Sequence, residues 1–161
     1  MASRGFSSTV TGIAPAGPQR TFDILTPSDP SRFYPKFRVI PATVQVENQT
    51  GAWDGVGQTR VLRLSDGSSV RETTTDVVRP DFFAYELTEF TKAFGPIIHH
   101  ARAEWRFEAV ESGTLITWTY TFFGKPGRGW IVSLIVNLIW AAYMRQVMPG
   151  LVAEVQRVTA A

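Results

Sequence analysis

Between Ile97 and Glu108 the chain alternates so regularly that little else about its fold is left free. Odd positions read Ile97, His99, Ala101, Ala103, Trp105 and Phe107, while even positions from His100 onward read His, Arg, Glu, Arg, Glu. Successive side chains of a β-strand point to opposite faces, so the run is one long strand with a dry face and a wet face. The dry face sets alanines between large apolar groups and carries one histidine. Small side chains leave room. The pattern therefore predicts a sheet curved around something, with space for a ligand on its inner side.

The rest of the chain supplies partners for this strand. Ser7–Ile13 reads as a first strand, stopped by the Pro- and Gly-bearing run 14–18. Pro18 suits the first turn of a short helix ending near Leu25, and Asp29 can cap a second one that begins at Pro30. Strands follow at 42–48, 58–64, 69–78 and 82–88, then the long strand, then 114–123. The order predicts an α+β fold: a curved antiparallel sheet of about seven strands, two short helices after strand 1, and a long C-terminal helix.

That helix is the apolar run Trp130–Met144, interrupted only by Ser133 and Asn137 and ended by Arg145. Its 15 residues fall short of the roughly 20 needed to cross a bilayer. A buried core helix covering the sheet is the favoured reading; a membrane-contacting helix is the other. Pro149-Gly150 is expected to kink or break the helix before Leu151–Val158.

Composition narrows the class. The 161 residues are 44% hydrophobic, enough for one domain spanning 1–161. The net charge is +2, with arginines interleaved among carboxylates, so no footprint for nucleic acid is present. There are no cysteines, and His99 and His100 point to opposite faces of one strand, so no metal site is expected. No cofactor motif is found; Gly55-Val56-Gly57 continues to Arg60 rather than to a third glycine. The N-terminal Met-Ala-Ser-Arg-Gly-Phe lacks an apolar core for secretion, which makes a cytoplasmic location the expectation.

Strand parity selects the inner face. It takes Ile97, His99, Ala101, Ala103, Trp105 and Phe107 on the long strand, and Ile116, Trp118, Tyr120 and Phe122 on the last. On the strand after Pro80 it takes Phe83, Tyr85 and Leu87. In the hairpin around Asp66-Gly67, a three-residue loop puts Leu62, Leu64 and Val70 on one face and sets Arg60 opposite Glu72. Two opposite charges on an inner face should pair, because a lone buried charge is very costly. The candidate ligand contacts are Leu62, Phe83, Tyr85, Ile97, His99, Ala101, Ala103, Trp105, Trp118 and Tyr120, with Leu134, Asn137, Leu138 and Ala141 from the helix. Candidate proton-transfer groups are His99, Glu72, Arg60 and Tyr85, each of which also has a purely structural reading.

Several motifs, in this order and spacing, resemble the START-like (SRPBCC) superfamily, in its polyketide cyclase/dehydrase and lipid-transport branch. They are Trp53-x-Gly55-x-Gly57-x-x-Arg60, Leu64-x-Asp66-Gly67-x-x-x-x-Glu72, Pro80-x-x-x-x-Tyr85, Trp105, and Gly113-x-x-x-x-Trp118. The resemblance implies the helix-grip fold, with the last helix packed over the concave face of the sheet and an apolar cavity between them. It implies a hydrophobic small molecule as partner: a lipid, polyketide or related aromatic or isoprenoid compound. Three functions remain open: a binding protein, a cyclase or dehydratase using His99 with Arg60, Glu72 or Tyr85, and a membrane-associated lipid carrier. Fold alone does not choose among them, and monomer and homodimer are both compatible with the sequence.

Overall fold

A computed structural model describes residues 4–161. Residues 1–3, part of the N-terminal stretch read for a secretion signal and of the 1–161 domain, lie outside the described residues. The elements run β1 (Gly5–Ala14), α1 (Pro18–Leu25), a 3₁₀ turn (Pro30–Arg32), β2 (Thr43–Glu47), β3 (Thr59–Leu64), β4 (Ser69–Val78) and β5 (Phe82–Thr88). After a second 3₁₀ turn (Lys92–Phe94) come β6 (Ile98–Val110), β7 (Gly113–Gly124), α2 (Gly129–Ile135), a π-helical turn (Val136–Trp140) and α3 (Ala141–Ala160). The strands form one antiparallel sheet in the order β1-β7-β6-β5-β4-β3-β2, so the N-terminal strand lies beside the last one.

The predicted signals act where expected. Pro18 opens α1. Asp29 accepts a hydrogen bond from the Ser31 amide at 2.9 Å and caps the turn that starts at Pro30. Leu64 and Ser68 close a three-residue β3–β4 loop, in which Gly67 takes a left-handed φ of 79°. That loop fixes Leu62 opposite Val70 and Arg60 opposite Glu72.

The C-terminal helix is gripped by the sheet. One face buries Val132, Val136, Tyr143, Met144, Val147, Leu151 and Val155. Each such side chain contributes about 1.5–3 kcal/mol by leaving water. The helix can approach β1 closely because Gly12 has no Cβ; one built there would stand 2.7 Å from Met148 Cγ. Glu154 accepts from Arg32 at 2.9 Å and from Arg157 at 2.7 Å, tying the first 3₁₀ turn to α3.

Two expectations about this helix need correction. Pro149 does not break it: Ala141–Ala160 is continuous. Both Pro149 and Arg145 are exposed, so the carbonyl left without its i+4 partner meets solvent. Nor is Trp130–Met144 buried all round. The combined span Gly129–Ala160, 32 residues with a mean hydropathy of 1.5 in its most apolar window, is long and apolar enough to cross a membrane. Here one side of it is core, and Trp130, Leu134 and Leu138 on the other side face outward.

Candidate functional site

Sheet and helix flank a partly open cavity of about 100 Å³. Engineered apolar cavities of about 150 Å³ stay dry and admit a benzene ring; this one is of the same order and is open on one side. The floor is Leu62, Val70 and Leu87 on β3, β4 and β5. The sheet wall is Tyr120 and Phe122 on β7 with Ile98 on β6, and the helix contributes Ile135, Trp140 and Tyr143. Ile40, Pro41, Phe90 and Phe94 close the rim from two loops. The aromatic rings brace one another: Trp140 meets Tyr120 edge-on at 4.8 Å and Phe122 at 5.1 Å.

Polar groups gather at one side of this apolar space. Glu72, Tyr34, Tyr85 and Tyr120 all line it. Arg60 gives its Nε–H to Glu72 Oε2 at 2.5 Å; both residues are almost fully buried. The guanidinium lies 3.9 Å from the centre of the Trp53 ring and makes no other hydrogen bond among the described residues. It borders a second, smaller void of about 30 Å³, whose wall includes Trp53, Phe83 and Trp105. Pro30, Tyr34 and Tyr85 belong to both voids and stand between them. Trp140 brings a further donor, since its indole N–H is buried without a partner.

The tyrosines are held as neutral phenols. Burial raises Tyr34 and Tyr120 well above the usual tyrosine range, and the neighbouring Tyr85 and Glu72 add to it. Tyr85 and Tyr143 are also raised, both chiefly by burial. Tyr143 donates to the Pro35 carbonyl at 2.9 Å, whereas Tyr34 and Trp105 reach toward the Tyr85 oxygen. The site therefore offers phenolic O–H donors, not phenolates. A group whose folded pKa is raised leaves stability unchanged below its unfolded value and weakens the fold above it. The tyrosines' contribution is accordingly expected to leave stability unchanged up to about pH 10, where free tyrosine titrates, and to lower it beyond. Urea unfolding at stepped alkaline pH, with Tyr34→Phe/Tyr120→Phe flattening the fall, checks this.

The predicted residues divide into three groups. Arg60, Glu72 and Tyr85 come together, and Leu62 and Tyr120 line the main cavity, while Phe83 and Trp105 line the inner void. Ala101, Ala103 and Trp118 are buried on the inner face yet border neither void. The space beside the alanines is filled: Ala101 sits opposite Phe122 and Ala103 opposite Tyr120, and Trp118 stacks on Trp105 at 4.8 Å.

The third group points away. A β-bulge between Ile98 and His100 shifts the register and flips the strand start. Ile98 thereby takes the inward place expected of Ile97, and His99 is exposed with its Nδ1 at 2.7 Å from His100 Nδ1. His100 stacks on Phe123 at 4.2 Å, so neither histidine reaches the cavity. On the helix, Leu134, Asn137 and Leu138 are exposed and Ala141 is half-buried. Asn137 satisfies itself on Ser133 Oγ at 3.2 Å. The lining face is instead Ile135, Trp140 and Tyr143, because a run apolar on every side carries no marker of its phase. Tyr34 was missed as well; it lies in an irregular stretch where no periodicity assigns a direction, and its one signal is an aromatic hydroxyl flanking Pro35.

A family model described as polyketide cyclase / dehydrase and lipid transport matches residues 6–156. Among curated proteins none matches the sequence. Solved structures share the fold at low identity. The di-domain ARO/CYC StfQ from the steffimycin biosynthetic pathway is 14% identical with a TM-score of 0.71; 98% of this chain is covered, and it spans 53% of that one. Norcoclaurine synthase from Thalictrum flavum, in complex with dopamine and hydroxybenzaldehyde, is 14% identical with a TM-score of 0.67, covering 95% and 89% of the two chains. Ara h 8.0201 is 14% identical with a TM-score of 0.59, covering 96% and 97%.

Proposed function

Since the chain belongs to the polyketide cyclase/dehydrase and lipid-transport family, we propose that it binds an apolar, ring-sized molecule carrying an oxygen at one end. One observation carries this reading. An otherwise apolar cavity gathers the phenols of Tyr34, Tyr85 and Tyr120 beside Glu72 on a single side. Such a site seats an apolar body by burial and orients it through a few polar atoms. The donors prefer a carbonyl or phenolic oxygen. The Arg60–Glu72 pair is already neutral as a unit, so a carboxylate head would bring an unmatched charge into low dielectric. Aromatic, oxygen-bearing molecules are named with norcoclaurine synthase, which supports the same choice. If chemistry follows binding, the groups in reach are Glu72 and the phenols, and His99 is not among them.

A matched pair of probes tests the reading. 2-Naphthol is expected to bind about five- to tenfold more tightly than naphthalene by calorimetric titration, one good hydrogen bond being about 1–1.5 kcal/mol. Tyr85→Phe combined with Tyr34→Phe is expected to remove the difference. Equal affinity for the two probes in the unaltered protein would refute the oxygen-recognising site.

A further inference from the structure

We propose that the face around the cavity mouth docks onto anionic lipid bilayers. Trp130, Leu134 and Leu138 repeat every four residues and stand in one line along the helix. They are 66%, 52% and 66% exposed. The grip of the sheet uses the opposite side of the helix, so nothing in the fold requires this line to be apolar. It adjoins the opening, because Ile135, next to Leu134, lines the cavity. A second apolar point comes from the loop before β2. Val39 is 61% exposed and leads directly into Ile40 and Pro41 on the cavity rim.

Charge selects the occupant. Lys36 and Arg38 flank Val39's loop, and Lys125 and Arg128 precede Trp130 in the turn after β7. All four are exposed and form no ion pair among the described residues. Each exposed apolar point thus has two unpaired cations beside it in the chain: Lys125 and Arg128 before Trp130, and Lys36 and Arg38 before Val39. A Trp and leucines flanked by Lys and Arg match the interfacial region of a bilayer, where apolar groups enter the acyl boundary and cations meet acidic headgroups. A second copy of the chain is a poorer occupant. A symmetric contact would set the same cations against one another. Docked this way, the mouth opens toward the lipid, and an apolar guest passes between bilayer and cavity without crossing water.

The test is flotation of the full chain with vesicles of pure phosphatidylcholine and of equal parts phosphatidylcholine and phosphatidylglycerol. Binding to the mixed vesicles is expected to exceed that to neutral ones at least about tenfold and to collapse in molar salt, where screening acts within about 3 Å. Trp130→Ser/Leu138→Ser and Lys125→Glu/Arg128→Glu are each expected to reduce it about tenfold, with unchanged thermal unfolding and unchanged 2-naphthol affinity. No flotation with mixed vesicles, equal flotation with both kinds, or an unaltered response in both double variants would overturn the proposal. So would a dimer in light scattering that both variants dissolve without loss of flotation. Failure of 2-naphthol to bind, with flotation intact, would count against the cavity reading alone.

Discussion

Glu72→Ala is expected to lower the unfolding free energy by about 3–5 kcal/mol, the usual loss when one member of a buried ion pair is removed. Glu72 and Arg60 are 2% and 4% exposed, and the 2.5 Å contact between them is the arginine's sole hydrogen bond among the described residues. Without the carboxylate, a guanidinium stays buried against Trp53 with no counter-charge. For a chain of 161 residues this corresponds to a fall in Tm of roughly 6–20 °C, at about 2–4 °C per kcal/mol. The loss belongs to the stranded charge and not to the pair itself. Arg60→Met/Glu72→Leu, which replaces both partners by apolar groups of similar length, should regain most of it, as such replacements are often neutral or stabilising. Thermal unfolding of the three proteins decides the matter. A double variant as unstable as Glu72→Ala would show that the pair supports the fold by more than mutual neutralisation.

The pair was legible in the sequence for a physical reason that also explains what was not. Where a strand alternates strictly and a short loop fixes its register, parity alone places every side chain. Gly67 sets the β3–β4 loop, and Arg60, Leu62, Val70 and Glu72 follow to the inner face. The same logic placed Phe83, Tyr85 and Leu87 on β5 and Trp118, Tyr120 and Phe122 on β7. It failed at the start of β6, where one extra residue in a bulge turned His99 out and Ile98 in. Bulges leave no compositional mark, so a histidine one residue before the regular register could not be assigned from alternation. The helix failed for another reason. A stretch apolar on all sides has no wet face to show its orientation, so Leu134, Asn137 and Leu138, expected at the cavity, lie on the exposed side instead. Tyr34 belongs to neither pattern and is visible only once the loop folds over the sheet.

Alanine at 103 and valine at 70 invite opposite readings, and a matched substitution separates them. From sequence, the alanines of β6 marked the empty space. In the structure Ala103 is fully buried opposite Tyr120, bordering no void, while Val70 forms part of the cavity floor beside Leu62. Val70→Phe is therefore expected to leave stability within about 1 kcal/mol, since the ring enters space that holds no protein atoms. Ala103→Phe forces a ring into close-packed neighbours and is expected to lose at least the roughly 1–3 kcal/mol typical of overpacking. Ligand binding should move the other way. In a free volume of about 100 Å³, one phenyl ring occupies the place of the guest, and 2-naphthol affinity is expected to drop about a hundredfold, near 2.7 kcal/mol. Thermal unfolding and calorimetric titration on the same two proteins give both quantities. Val70→Phe as destabilised as Ala103→Phe would mean that the space between sheet and helix is not open. A stable Val70→Phe that still binds 2-naphthol at full strength would place the guest elsewhere, and with it the whole role assigned to Tyr34, Tyr85 and Glu72.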